Sequence, residues 1–143
     1  MKIKNQMKLQ FLSLSSNERF ARAAVAAFLT SLDPTALEIA DIKTAVSEAV
    51  TNCIVHAYHD TIGIVYVHTK IYEGRRVVIT IRDRGCGIEN IKKAMEPLFT
   101  TLPDEERSGL GFSVMQSFTD KVRVRSRLNK GTSVTLEKIL SER

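Results

Sequence analysis

The sequence predicts an α/β sandwich, a mixed or mostly antiparallel sheet with helices on one face. Three observations carry it. Several segments alternate apolar and polar residues at the strand period of two. Others repeat apolar residues at helical spacing or open on helix-start signals. Their order, β-α-α-β-β-loop-α-β-β, suits a layer of strands covered by helices.

Taken in order, Met7, Leu9 and Phe11 alternate with Lys8 and Gln10, which reads as a short half-buried strand. Ser15 followed by Glu18 has capping-box spacing and opens a helix to about Leu32. Phe20, Ala24, Ala27, Phe28 and Leu32 share one face, expected against the sheet. Arg22, Val25, Ala26 and Leu29 fall on the other side, an apolar surface expected to be free for a partner. Asp33-Pro34 reads as a cap and first helical residue. A long helix follows over 35–58, with Leu37, Val46, Val50, Cys53, Ile54 and Ala57 as apolar positions. Residues 62–72 and 75–83 read as a hairpin turning at "EGR". Residues 89–95 suit a helical turn or two. The stretch 96–108 holds two prolines and an acidic run, and reads as a mobile loop. A short helix over 109–119 precedes strands at 121–128 and 131–140.

Composition sets bounds. The 143 residues suit one domain over 1–143, with 43% apolar and 26% charged residues. The longest apolar run, "AAVAAFL", has seven residues, against about 20 for a membrane span. No signal peptide is expected, because the lysines at the start precede no sustained apolar stretch. Cys53 and Cys86 have no metal-site spacing and are too few for a disulfide framework, which fits a cytoplasmic setting. The net charge of +5 is partly placed in "KVRVRSR". No aromatic residue interleaves with that run to stack bases, so a solvated strand face is expected rather than direct nucleic-acid contact.

Four features could carry chemistry. Glu48 and Asn52 lie four apart, on one helix face: a carboxylate suited to accepting a proton and an amide oxygen suited to Mg²⁺. In "DRGCGI", Gly85 and Gly87 would let backbone approach a flat ring, and Asp83 would accept from an exocyclic amine. In "RSGLGF", Ser108 could cap a helix whose N-terminus, with Gly109, Leu110, Gly111 and the guanidinium of Arg107, suits phosphate. A loop lies between the two glycine pairs.

Together these features resemble the GHKL superfamily, the ATPases of gyrase, the heat-shock 90 chaperone, histidine kinases and MutL. Asn52 matches the N box, "DRGCG" the first glycine box and "GLG" the second. "KGTSVTL" resembles the last strand, which implies that Thr132 lies near adenine. "VSEAVTNCIVHAY", "PLFTT" and "ERSGLGFSVM" are similar to the anti-sigma serine kinases, most closely the sporulation anti-sigma F type. That resemblance implies a homodimeric kinase that uses Mg-ATP. It would bind a sporulation sigma factor and phosphorylate an anti-anti-sigma protein on serine. It further implies Glu48 as general base, Asn52 as Mg²⁺ ligand, Asp83 as adenine reader, Thr100 and Thr101 beside the nucleotide, and Arg22 in partner contacts. The chain departs from the pattern at Leu102, where a lysine is usual, in the short segment 57–62, and at Arg84 and Cys86. A non-catalytic ATP-gated binding module and a detached histidine-kinase domain are the alternatives.

Overall fold

A computed structural model describes residues 2–95 and 111–142. Five strands form one sheet in the order β1-β2-β3-β5-β4, every neighbouring pair antiparallel. They are β1 (Ile3–Leu12), β2 (Ile64–Tyr72), β3 (Arg76–Arg82), β4 (Lys121–Arg127) and β5 (Gly131–Ile139). The main helices are α1 (Ser16–Phe28), α2 (Ala36–Asn52) and α4 (Gly111–Phe118), with a single turn α3 (Ile91–Ala94). The element order is the one read from the sequence. β1 is longer than its three-residue apolar pattern suggested, because it pairs with the whole of β2.

The period-two pattern explains why the sheet has one core side. Val65, Val67, Thr69 and Ile71 of β2, Val77, Ile79 and Ile81 of β3, and Val134 and Leu136 of β5 are buried. Ile42, Ala45, Val46, Ala49 and Val50 of α2 complete that core. Alternate strand positions point the other way and are mostly polar or charged, with Ile64 and Val78 among the apolar exceptions. Among the described residues no helix is long and apolar enough to cross a membrane.

The helix α1 corrects the expected face in part: Phe28 and Leu32 pack against the core as expected, but Phe20 does not. Ala21, Val25 and Leu29 are fully buried, while Phe20 is 53% exposed. Small and branched side chains let this helix approach the core, whereas Phe20 leans edge-on against Phe11 at 6.1 Å between centroids. Val25 and Leu29 are therefore core residues and belong to no partner surface. Leu37, counted among the apolar positions of the long helix, is 72% exposed.

The caps also differ. The side chain of Ser15 makes no cap hydrogen bond. Glu18 instead pairs with Arg22 at 3.3 Å. The capping box forms at Thr35 and Glu38: the Thr35 hydroxyl accepts from the Glu38 amide at 3.0 Å, and Glu38 accepts from the Thr35 amide at 2.9 Å. Asp33 is no cap for this helix; it adopts a left-handed conformation with φ 47°.

Glu38 also accepts from the Ser141 amide at 2.7 Å, tying the start of α2 to the end of β5. Hydrogen bonds from the amides of Ser141 and then Thr35 hold its carboxyl down at about 2, against an ordinary 4.5. A carboxyl with a lowered folded-state pKa gives stability that is complete above its unfolded value and is lost as pH falls through the folded one. Urea unfolding between pH 5 and pH 2 should therefore show less pH dependence in Glu38→Gln than in the native chain. Parallel curves would mean that Glu38 contributes nothing to acid sensitivity.

Candidate functional site

The end of α2 carries Glu48 and Asn52, both half-buried and one turn apart. The helix then widens into a π-type turn, Cys53–Ala57, closed by the Tyr58 amide donating to the Cys53 carbonyl at 3.0 Å. The first residue of α4 meets this region. A Cβ added at Gly111 would sit 3.2 Å from both side-chain Nδ2 and Oδ1 of Asn52. The glycine thus lets α4 start against the Asn52 amide. Two of the sequence features, 59 positions apart, converge here.

Asp83 lies just beyond β3 and is 5% exposed. Its Oδ1 accepts from the Gly85 amide at 2.9 Å and the Thr132 amide at 3.1 Å. Its own amide donates to the Thr132 carbonyl at 2.9 Å. Burial raises the Asp83 carboxyl above its usual range, opposed by the amide of Gly85, the thiol of Cys53 and the amide of Thr132. The result is a buried acceptor whose direction is fixed by backbone. That suits recognition of a donor on a flat ligand.

The glycines around Asp83 are required by close backbone approach. A Cβ at Gly85 would lie 2.3 Å from the Ala57 carbonyl oxygen. Gly131 has φ 122°, and a Cβ there would lie 2.2 Å from the Asp83 carbonyl oxygen. Gly87 takes φ 77° and passes the β4 end at Arg127 equally closely. Asp83, Gly85, Gly87 and Thr132 are therefore brought together as the sequence suggested. Thr100, Thr101, Arg107, Ser108, Gly109 and Leu110, with the loop 96–108, lie outside the described residues.

Two side chains that the sequence did not single out hold this turn. Tyr58 is buried; its hydroxyl accepts from the Arg84 amide at 2.6 Å and donates to the Ile64 carbonyl at 2.8 Å. Its ring lies against Gly63, where a Cβ would come within 2.3 Å of it. Ser126 accepts from the Ile88 amide at 2.7 Å and donates to the Gly131 carbonyl at 3.1 Å. Neither has a spacing signal, because each acts across strands or through a chain reversal. A cleft of about 570 Å³ opens on the outer side of Gly85, lined by His56, Tyr58, His59, Asp60, Arg84 and Cys86. Asp83 and Asn52 do not line it, so it flanks the convergent residues rather than containing them. The thiol of Cys86 donates to the His56 carbonyl at 3.3 Å.

Among the described residues, no three His, Cys, Asp or Glu side chains converge on a metal position. The donor at hand is the single amide oxygen of Asn52. It fits a hard cation that takes its remaining ligands from phosphate and water.

A family model described as the histidine kinase-like ATPase domain matches residues 13–138. An anti-sigma F factor from Anoxybacillus flavithermus is 54% identical over 141 residues, covering 98% of this chain and 96% of that protein. The chain belongs to the anti-sigma F factor family, within the histidine kinase-like ATPases. Another anti-sigma F factor, from Priestia megaterium, is 51% identical over 140 residues, covering 97% and 95% of the two chains. Solved structures agree on the fold. The RsbU and RsbW domains of a Mycobacterium tuberculosis protein superpose with TM-score 0.72 at 20% identity, over 98% of this chain and 34% of that one. The catalytic domain of histidine kinase ThkA gives 0.59 at 18% identity, over 95% and 99%.

In this anti-sigma F family member, Tyr58 should matter through its hydroxyl. Tyr58→Phe keeps the ring on Gly63 but leaves the Arg84 amide without its acceptor. We expect a loss of about 1–2 kcal/mol in urea unfolding and faster hydrogen exchange at the Arg84 amide. Unchanged exchange there would remove Tyr58 from the support of the glycine turn.

Proposed function

We propose that this protein is an ATP-dependent serine kinase and an anti-sigma factor. It binds and inhibits a sporulation sigma factor and phosphorylates the anti-anti-sigma antagonist of that pairing on serine. The reading includes a homodimer working in the cytoplasm. The names of its relatives support the anti-sigma part. The kinase part rests on one observation above all: Gly111 packs against Asn52 one helical turn from Glu48. That arrangement sets an acid–base group beside the start of a helix able to hold phosphate.

Each residue has one task in this reading. Asp83 accepts a hydrogen bond from the adenine amine, in the direction set by the amides of Gly85 and Thr132. Asn52 offers its amide oxygen to Mg²⁺, which when bound offsets charge on the phosphates. The α4 start at Gly111 presents a helix N-terminus toward the same region. Thr100, Thr101, Arg107, Ser108, Gly109 and Leu110 complete the phosphate end by resemblance. Glu48 takes the proton of the substrate serine hydroxyl as its oxygen bonds to the γ-phosphorus and ADP leaves.

Glu48 separates transfer from binding. With ATP, Mg²⁺ and a candidate anti-anti-sigma protein, intact mass should show the partner gaining one phosphate. Glu48→Gln should slow single-turnover transfer by about 10²–10⁴-fold, the range for losing a general base, with ATP affinity retained. Near-normal transfer would exclude Glu48 as the base. A partner that never gains mass would leave a non-catalytic ATP-gated module as the better account.

Arg22 tests the partner surface. It stands on α1, about one-third exposed and paired with Glu18, beside the half-exposed Ala26. Arg22→Ala should weaken binding of both sigma factor and antagonist while leaving ATP binding intact. Equal affinities in calorimetric titrations would move the contact elsewhere.

A further inference from the structure

The face of the sheet away from the helices carries charge of one sign. Strand register aligns Gln10, Tyr66, Arg82, Ser133 and Arg125 in one row across all five strands. The adjacent row is Lys8, His68, Thr80, Thr135 and Arg123. With Lys70, Arg76, Arg84, Lys121 and Arg127, this face holds nine of the 19 Lys and Arg residues among those described. It holds one of the 12 carboxylates among the described residues, Glu137, which is tied to Arg76. Elsewhere among the described residues, ten basic side chains are balanced by eleven acidic ones. The positive charge of the described residues is therefore concentrated on one surface.

The same surface carries planar groups. No aromatic residue interleaves with β4 in the sequence, but β2 supplies Tyr66 and Tyr72 across the sheet. The guanidinium carbon of Arg82 stands 4.5 Å from the Tyr66 ring centroid, and that of Arg84 stands 5.1 Å from it. Arg76 lies over Tyr72 at 5.1 Å. Between the rows is a cleft of about 340 Å³, lined chiefly by Lys8, Gln10, Tyr66, His68, Thr80 and Arg82. Burial, then the charges of Lys70 and Lys8, hold the His68 imidazole below its usual range. The positive charge of the cleft is thus carried by Lys and Arg and persists at neutral pH.

These features select among occupants. A second copy would bring two faces of like charge together, which is unfavourable. An acidic protein would use the charge but gain nothing from the rings. A nucleic-acid strand uses both, because phosphates pair with the cations while bases stack on tyrosine rings and guanidinium planes. Alternate residues of a strand stand about 7 Å apart, so Arg123, Arg125 and Arg127 present charge at regular intervals along an open edge. We propose that the outer face of the sheet binds single-stranded nucleic acid, with phosphates along Lys8, Arg82 and the β4 arginines and a base stacked at Tyr66. This reverses the expectation drawn from β4 alone, and it does not rest on the kinase reading.

The test is fluorescence anisotropy of the full chain with a labelled 12-nucleotide oligo-dT probe in about 50 to 200 mM salt. Binding should weaken with salt by about 0.7 log units per log unit of salt for each phosphate contacted. The double variant Arg123→Ser, Arg125→Ser should make that slope about 1.4 units shallower. Tyr66→Leu should weaken binding by about 5- to 150-fold, the equivalent of one stacked base, while Tyr66→Phe should retain it. Saturating Mg-ATP should leave the titration unchanged. Four results would each overturn the proposal: no anisotropy change at the lowest salt, equal competition by a polyglutamate 12-mer, preference for duplex DNA, or displacement by ATP. The second would make an acidic protein the occupant. The fourth would place the probe at the site of Asp83 and Asn52.

Discussion

The close passage of β5 over the end of β3 is the constraint on which the site depends. The Asp83 amide donates to the Thr132 carbonyl, and the carboxyl of Asp83 turns back to take the Thr132 and Gly85 amides. That contact requires the chain at Gly131 to run almost on top of the Asp83 carbonyl. The sheet register therefore sets the direction of a buried carboxyl. Because amides satisfy the carboxyl from two sides, its orientation is inherited from the sheet rather than from a loop.

The second consequence of that architecture is a division of labour between the two faces. The core face is apolar because three helices cover it, and their convergence brings Asn52, Glu48 and Gly111 to one end. Among the described residues no helix covers the outer face. Its alternate positions are free to be charged without desolvation cost, and the charged ones among them are almost all basic. A sheet covered on both sides could not carry that segregation, since its outward positions would have to be apolar as well.

Much of this was legible in the chain. Period-two alternation marked every strand to within a few residues, and Asp83, Gly85 and Thr132, like Asn52 and Gly111, are positions read from the sequence that the fold brings together. What failed has physical causes. In α1 both sides are apolar, so the 100° period alone could not say which faces the core. Size misled, since Phe20 was assigned inward and the small Ala21 and Val25 are the buried residues. A Ser-x-x-Glu pattern occurs before α1, yet the box closes only at Thr35 and Glu38, where the cap residue is extended with ψ 161°. At Ser15 the backbone is already helical, so its hydroxyl has no amide in reach. Tyr58, Ser126 and the row joining Tyr66 to Arg125 were invisible for another reason: each depends on which residues stand opposite, and no periodicity carries register.

The widened turn at Cys53–Ala57 changes how the end of the long helix is finished. Its last free carbonyls are met by the glycine turn, the Cys86 amide reaching the Ala57 carbonyl at 3.1 Å and the Cys86 thiol reaching that of His56. The helix borrows its termination from a segment some thirty residues downstream. Neither piece is complete without the other, so the two must gain order in one cooperative step and lose it together. Loosening at the glycine turn is then felt by the helix that carries Glu48 and Asn52, and that helix end and the turn after Asp83 form a single unit of local unfolding.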